Sequence, residues 1–140
     1  MRSALFLSFL LLLPVAAVAQ TASSIEQNEP SPANVPSGKQ IFQQYCAACH
    51  GLDAKGHGPA RAALKVPAAN LTTLAKRHGG KFPVDYVTHV LEFGPGFPAH
   101  GAYNMPTWGP IFRYMDNFNT EIVKKRISNL CDYLATLQAR

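Results

Sequence analysis

The chain has little charge and less acid. Only 15% of its 140 residues are charged, and 8 Asp and Glu stand against 13 Lys and Arg, a formal net charge of +5. No run of basic residues and no nucleic-acid-binding motif accompanies that excess, so a nucleic-acid partner is not indicated. Cysteine is scarce and odd in number, with three in all. Two of them share one short motif without a second ligand pair elsewhere, which leaves a structural zinc site incomplete. No βαβ pattern surrounds that motif, as a redox dithiol would require. Internal repeats and low-complexity tracts are missing too. The one sustained apolar run, Ala4 to Leu13, is interrupted by Pro14 and is short for a bilayer span, which needs about 20 residues.

That run has the form of a leader instead. A basic Arg2, the apolar run and the small residues Ala17-Val18-Ala19 make the three parts of a secretory signal over residues 1–19, with cleavage after Ala19. No cysteine follows at once, so lipid attachment is not indicated. Residues 20–37 are rich in Ser, Pro, Asn and Ala. Pro30, Pro32 and Pro36 disfavour regular helix there, and the stretch reads as a flexible linker. Residues 38–140 remain as one domain.

What the chain does possess is Cys46-Ala47-Ala48-Cys49-His50. Two thiols three positions apart, followed by an imidazole, form the C-x-x-C-H pattern of covalent haem attachment. On one helical turn the two cysteines occupy neighbouring positions of one face, matching two vinyl groups on one porphyrin edge. The adjacent histidine then serves as the proximal iron ligand. Such attachment also calls for export, in agreement with the leader.

With Gly51 after the motif, Met105-Pro106 downstream and an amphipathic helix at the end, the chain resembles the monohaem class I cytochromes c over roughly residues 37–140. The resemblance implies an all-α fold of about four short helices packed round one covalently attached haem c. It implies a carrier of single electrons rather than an enzyme. It assigns Met105 as the second axial iron ligand opposite His50, and suggests that Pro59 offers its carbonyl to the second nitrogen of that histidine. The placement of His50 near the start of the mature chain sets cytochromes of the c′ type aside.

The helices can be placed from local signals. Ser37 caps a helix over about residues 39–48, with Ile41, Phe42 and Tyr45 on one face. A Gly- and Pro-rich loop follows from Gly51 to Ala69. Asn70 starts a helix that Gly79-Gly80 stops, and Leu71 and Leu74 share its buried face. Pro83 opens a third helix carrying Val84, Val87, Val90 and Leu91, ended by Gly94-Pro95-Gly96. Asn119-Thr120 caps the last, residues 121–138, with a stripe of Val123, Ile127, Leu130, Leu134 and Leu137. Cys131 lies beside that stripe and is expected to be buried, whereas Lys124, Lys125 and Arg126 are expected in solvent. Tyr133 and Leu134 resemble the positions at which a terminal helix of the family crosses Gly38 and Phe42.

What fills the sixth iron position decides the chemistry. Met105, Met115, His57, His78, His89 and His100 are the candidates. A thioether is soft and neutral, raises the reduction potential relative to a second imidazole, and leaves no vacant site for oxygen or peroxide. Met105 is favoured, His100 is its rival in the same loop, and Met115 reads as packing. Trp108, Ile111, Phe112, Phe93 and Phe97 are candidates for the haem wall. Lys39, Lys55, Lys65, Lys76, Lys81 and Arg113 could present positive charge round the haem edge to an acidic redox partner, a membrane oxidoreductase or terminal oxidase among them. The expected function is a periplasmic electron carrier. The alternatives are a haem subunit of a larger oxidoreductase complex and an open-site haem enzyme or gas sensor.

Overall fold

The computed structural model describes residues 31–95 and 105–139, and among these it is helical with no strand. The leader and residues 20–30 of the linker fall outside the described residues, as do Phe97 and His100. The end of the linker is attached to the domain. Pro32–Asn34 forms a single 3-10 turn capped by Ser31, and the Asn129 side chain donates to the Pro36 carbonyl at 2.9 Å.

The first helical segment begins as the sequence indicates. The Ser37 hydroxyl accepts from Gln40 N–H while Gln40 Oε1 accepts from Ser37 N–H, a reciprocal capping box. From it run α1 (Gly38–Ile41), a π-helical stretch (Phe42–Cys46) and α2 (Ala47–His50). Overwound and underwound turns of this kind shift the angular spacing of side chains, and here the π-helical stretch ends on Cys46.

Next come a 3-10 turn at Pro59–Ala63, another at Leu71–Thr73 leading into α3 (Leu74–Arg77), then α4 (Val84–Phe93), α5 (Trp108–Met115) and α6 (Thr120–Thr136). Asn70 caps its segment by accepting from Thr72 N–H. Asn119 caps α6 by accepting from both Glu121 and Ile122 N–H. Pro83 stands just before α4 rather than inside it.

Helix α5 is not expected from the local signals, which place no helix between Gly96 and Asn119. Gly109 and Pro110 read as loop residues, yet both serve the helix. Pro110 stands in the first turn, where its missing N–H has no helical partner to lose. Gly109 is needed for contact: a Cβ there would sit 2.6 Å from the Glu92 carbonyl oxygen of α4.

The core is organised by α6, which buries Ile122, Val123, Ile127, Leu130, Cys131 and Leu134. Each such large aliphatic side chain contributes about 1.5–3 kcal/mol on burial. Helix α1 crosses α6 at Gly38, where a Cβ would fall 1.9 Å from the Asn129 carbonyl oxygen. Beside the crossing, the rings of Phe42 and Tyr133 lie 5.6 Å apart. The crossing expected at Gly38, Phe42 and Tyr133 is therefore present.

Arg126 departs from expectation. Lys124 and Lys125 are exposed as expected, but Arg126 is buried. Its Nε donates to Asp116 Oδ2 at 2.9 Å and its Nη2 to Asp116 Oδ1, and its guanidinium lies 5.2 Å from the Phe112 ring centroid. On a helix, residue 126 shares a face with Ile122, Val123 and Leu130. It enters the core because α5 delivers a carboxylate to meet it.

Candidate functional site

Cys46, Cys49 and His50 close the first helical segment, and Gly51 then turns the chain with φ 78°. The loop that follows folds back on the end of α2. Gly56 N–H donates to the His50 carbonyl at 2.7 Å and Gly58 N–H to the Cys49 carbonyl at 3.0 Å. These bonds satisfy helix-end carbonyls that would otherwise lack partners. A Cβ on Gly58 would lie 2.3 Å from the Ala48 carbonyl oxygen, so the return path requires a glycine.

The chain passes the imidazole again further on. His50 Nδ1 donates to the Ala69 carbonyl at 2.9 Å. A carbonyl can only accept, so the proton is on Nδ1 and the lone pair on Nε2. Pro59 does not have this role, contrary to the expectation from family resemblance. The few residues between His50 and Pro59 are used in returning to the α2 carbonyls, and Pro59 then opens a 3-10 turn. The segment leading to Asn70 is the one that reaches the ring. Burial holds the His50 pKa below the ordinary imidazole value, against the opposing effect of the Ala69 bond, so the neutral form needed by a metal ligand is favoured. Burial, with Cys49 nearby, pushes the Cys46 thiol up to about 12.

Two cavities flank the imidazole, of about 200 and 340 Å³. Cys46, His50, Ala69, Pro95 and Met105 line both, so together they form one slot. Cys49, Tyr45, Pro106 and Trp108 add to the smaller. Leu71, Leu74, Val87, Leu91, Leu130 and Leu134 add an aliphatic wall to the larger. The four residues singled out from the sequence, Cys46, Cys49, His50 and Met105, are thus brought to one place.

This lining fits a haem. The slot is apolar, it offers two thiols one helical turn apart, and it contains an imidazole with its lone pair on Nε2 and a neutral thioether. Among the described residues no group of three or more His, Cys, Asp or Glu could hold a bare metal ion.

Among the described residues, the rivals His57, His89 and Met115 line neither cavity. His57 and His89 are exposed, whereas His78 lines the larger cavity with its Nδ1 engaged by the Leu74 carbonyl at 2.9 Å. Met115 is 41% exposed and does not serve as core packing. Phe93, expected in the wall, is 64% exposed, with its ring tilted against that of His89 at 5.0 Å instead. Trp108 does line the slot, backed by Tyr45 and Phe112 at ring separations of 5.4 and 5.5 Å. Ile111 faces outward at 37% exposure. Cys131 is buried as expected, its Sγ 3.6 Å from Thr88 Oγ1, and desolvation raises its pKa. Lys39, Lys55, Lys65, Lys76, Lys81 and Arg113 are all exposed. No helix among the described residues is long and apolar enough to cross a membrane.

Two residue contributions escape the sequence reading, the Ala69 carbonyl and Asp116. A backbone acceptor has no side-chain signature, and an aspartate's burial depends on a partner in another helix.

Comparison with known proteins agrees with this geometry. Over 72 residues, 51% of the chain, it is 38% identical to the CcoP subunit of a cbb3-type cytochrome c oxidase from Rhodobacter capsulatus. The match spans only 20% of that subunit's length. No solved structure gives a significant match. The cytochrome c family model matches residues 35–138, nearly the whole of the described region, and the chain belongs to the cytochrome c family of electron-transfer haem proteins.

Proposed function

We propose that this protein is a periplasmic carrier of single electrons with one covalently bound haem c, and that it catalyses no reaction of its own. Cys46 and Cys49 would hold the porphyrin through thioethers, and His50 and Met105 would ligate the iron. The observation that carries this reading is the shared slot, into which both cysteines, a histidine of fixed tautomer and Met105 all project.

The bound haem would supply a one-electron couple. The chain's own residues tune and protect it. Ala69 fixes the orientation of the His50 ring and strengthens it as a donor. Met105 contributes a neutral sulfur, which favours the reduced metal. Trp108 and the aliphatic wall keep water from the slot, which disfavours the more charged oxidised state. Export follows from the leader at residues 1–19, and the positive surface suits a partner with an acidic docking face.

The test is a pair of substitutions read by spectrum. Met105→Ala should abolish the sulfur–iron charge-transfer band of the oxidised protein, and Met115→Ala should leave it intact. A band that survives Met105→Ala would refute this ligand assignment, and ready carbon monoxide binding by the unmutated reduced protein would favour an open-site enzyme or sensor.

A second reading has an observation behind it, because the curated relative is itself an oxidase subunit. In that reading the chain works within a membrane oxidoreductase. Persistent co-elution with native partners at moderate salt would favour it over a free shuttle.

A further inference from the structure

We propose that the buried Asp116–Arg126 ion pair positions Met105, by locking α5 onto α6; this rests on the reading of Met105 as an iron ligand. Both side chains are nearly sealed from solvent, 5% and 8% exposed. A buried pair is a weak source of net stability, since apolar residues of similar size often do as well. What a two-bond guanidinium–carboxylate fork adds is direction. It sets the distance and rotation between the end of α5 and the first half of α6.

That constraint is transmitted to the slot along two routes. Along the chain, Met105 is joined to the start of α5 only through Pro106, whose φ is fixed, and Thr107, so moving α5 moves Met105. Through space, the Arg126 guanidinium lies on the Phe112 ring, and Phe112 contacts Trp108 and Tyr45, which line the slot beside Met105. The connection after Asp116 is also unusual. Asn117 and Phe118 have φ of 49° and 60°, and Phe118 is largely exposed, so its own packing does not explain the conformation. Left-handed backbone at such residues persists where neighbouring structure imposes it. The anchored Asp116 immediately precedes them.

The readout is the affinity of the oxidised holoprotein for imidazole, which must displace the methionine to reach the iron. Asp116→Asn is expected to raise that affinity about tenfold, and Arg126→Lys, which keeps the charge but loses the fork, by a smaller factor. The double variant Asp116→Leu with Arg126→Met guards against misfolding. It should melt close to the parent protein yet still bind imidazole more tightly. Ser37→Ala, a loss of stability away from α5, should leave the affinity unchanged. If Asp116→Asn and the double variant bind imidazole like the parent while Met105→Ala binds it far more tightly, the pair is merely structural and the proposal is overturned. If Met105→Ala itself changes neither spectrum nor imidazole affinity, the failure lies in the ligand reading instead.

Discussion

The two sides of the slot are built by different means. On the His50 side the chain is laced to itself mainly by backbone hydrogen bonds. Gly51, Gly56 and Gly58 N–H groups return to the carbonyls of Ala47, His50 and Cys49, and Leu71 N–H reaches the Ala54 carbonyl at 2.8 Å. On the Met105 side the arrangement depends on side chains and on packing between separate helices. Phe112 is wholly buried between Tyr45 and Trp108, Gly109 rests on α4, and Asp116 is held by α6. The first side resists local perturbation because many backbone bonds must break together. The second shifts with the packing of α5.

The contrast can be broken from either side. The largest effect is expected from Phe112→Ala, at about 4 kcal/mol of stability, with weakened methionine ligation as well. Denaturant melts combined with the charge-transfer band would measure both. A loss of stability that left ligation untouched would show the Met105 side to be as rigid as the His50 side.

Gly58→Ala and Gly109→Ala form the sharper comparison. The φ of Gly58 is −67°, so alanine is conformationally acceptable and only collision with α2 carbonyls matters. A cost of about 3 kcal/mol is expected, with the methionine band retained. At Gly109 the better helix propensity of alanine partly offsets the collision with Glu92, and about 2 kcal/mol is expected. There the band should weaken. Equal spectral change in the two variants would erase the distinction between the sides.

The smallest effect belongs to Asn119→Ala, which removes the α6 cap and should cost about 1 kcal/mol in thermal or chemical melts. The Asp116–Arg126 contact precedes and follows this cap without including it, so methionine ligation should persist.

Legibility followed the same division. Ser37, Asn70 and Asn119 act as caps as read, because capping requires only a side chain and the next few N–H groups. The stripe of α6 was legible from its period, and Cys131 is buried as that period predicts. Arg126 was misplaced because a charged residue on an apolar face reads as solvated until its partner is known. Helix α5 was missed because Gly109 and Pro110 look like loop residues when the backbone of Glu92 is out of view. The Pro59 expectation, drawn from resemblance, fails because a carbonyl acceptor leaves no mark in the sequence.

The amino-acid sequence by itself determined the attachment motif, the caps and the apolar stripes, all of which depend on neighbours a few positions away. The tertiary structure alone decided which carbonyl orients His50, which arginine leaves solvent and how α5 carries Met105 to the slot. Those outcomes depend on contacts between segments distant in the chain, where burial makes an unpaired charge or a misplaced Cβ costly enough to select one arrangement.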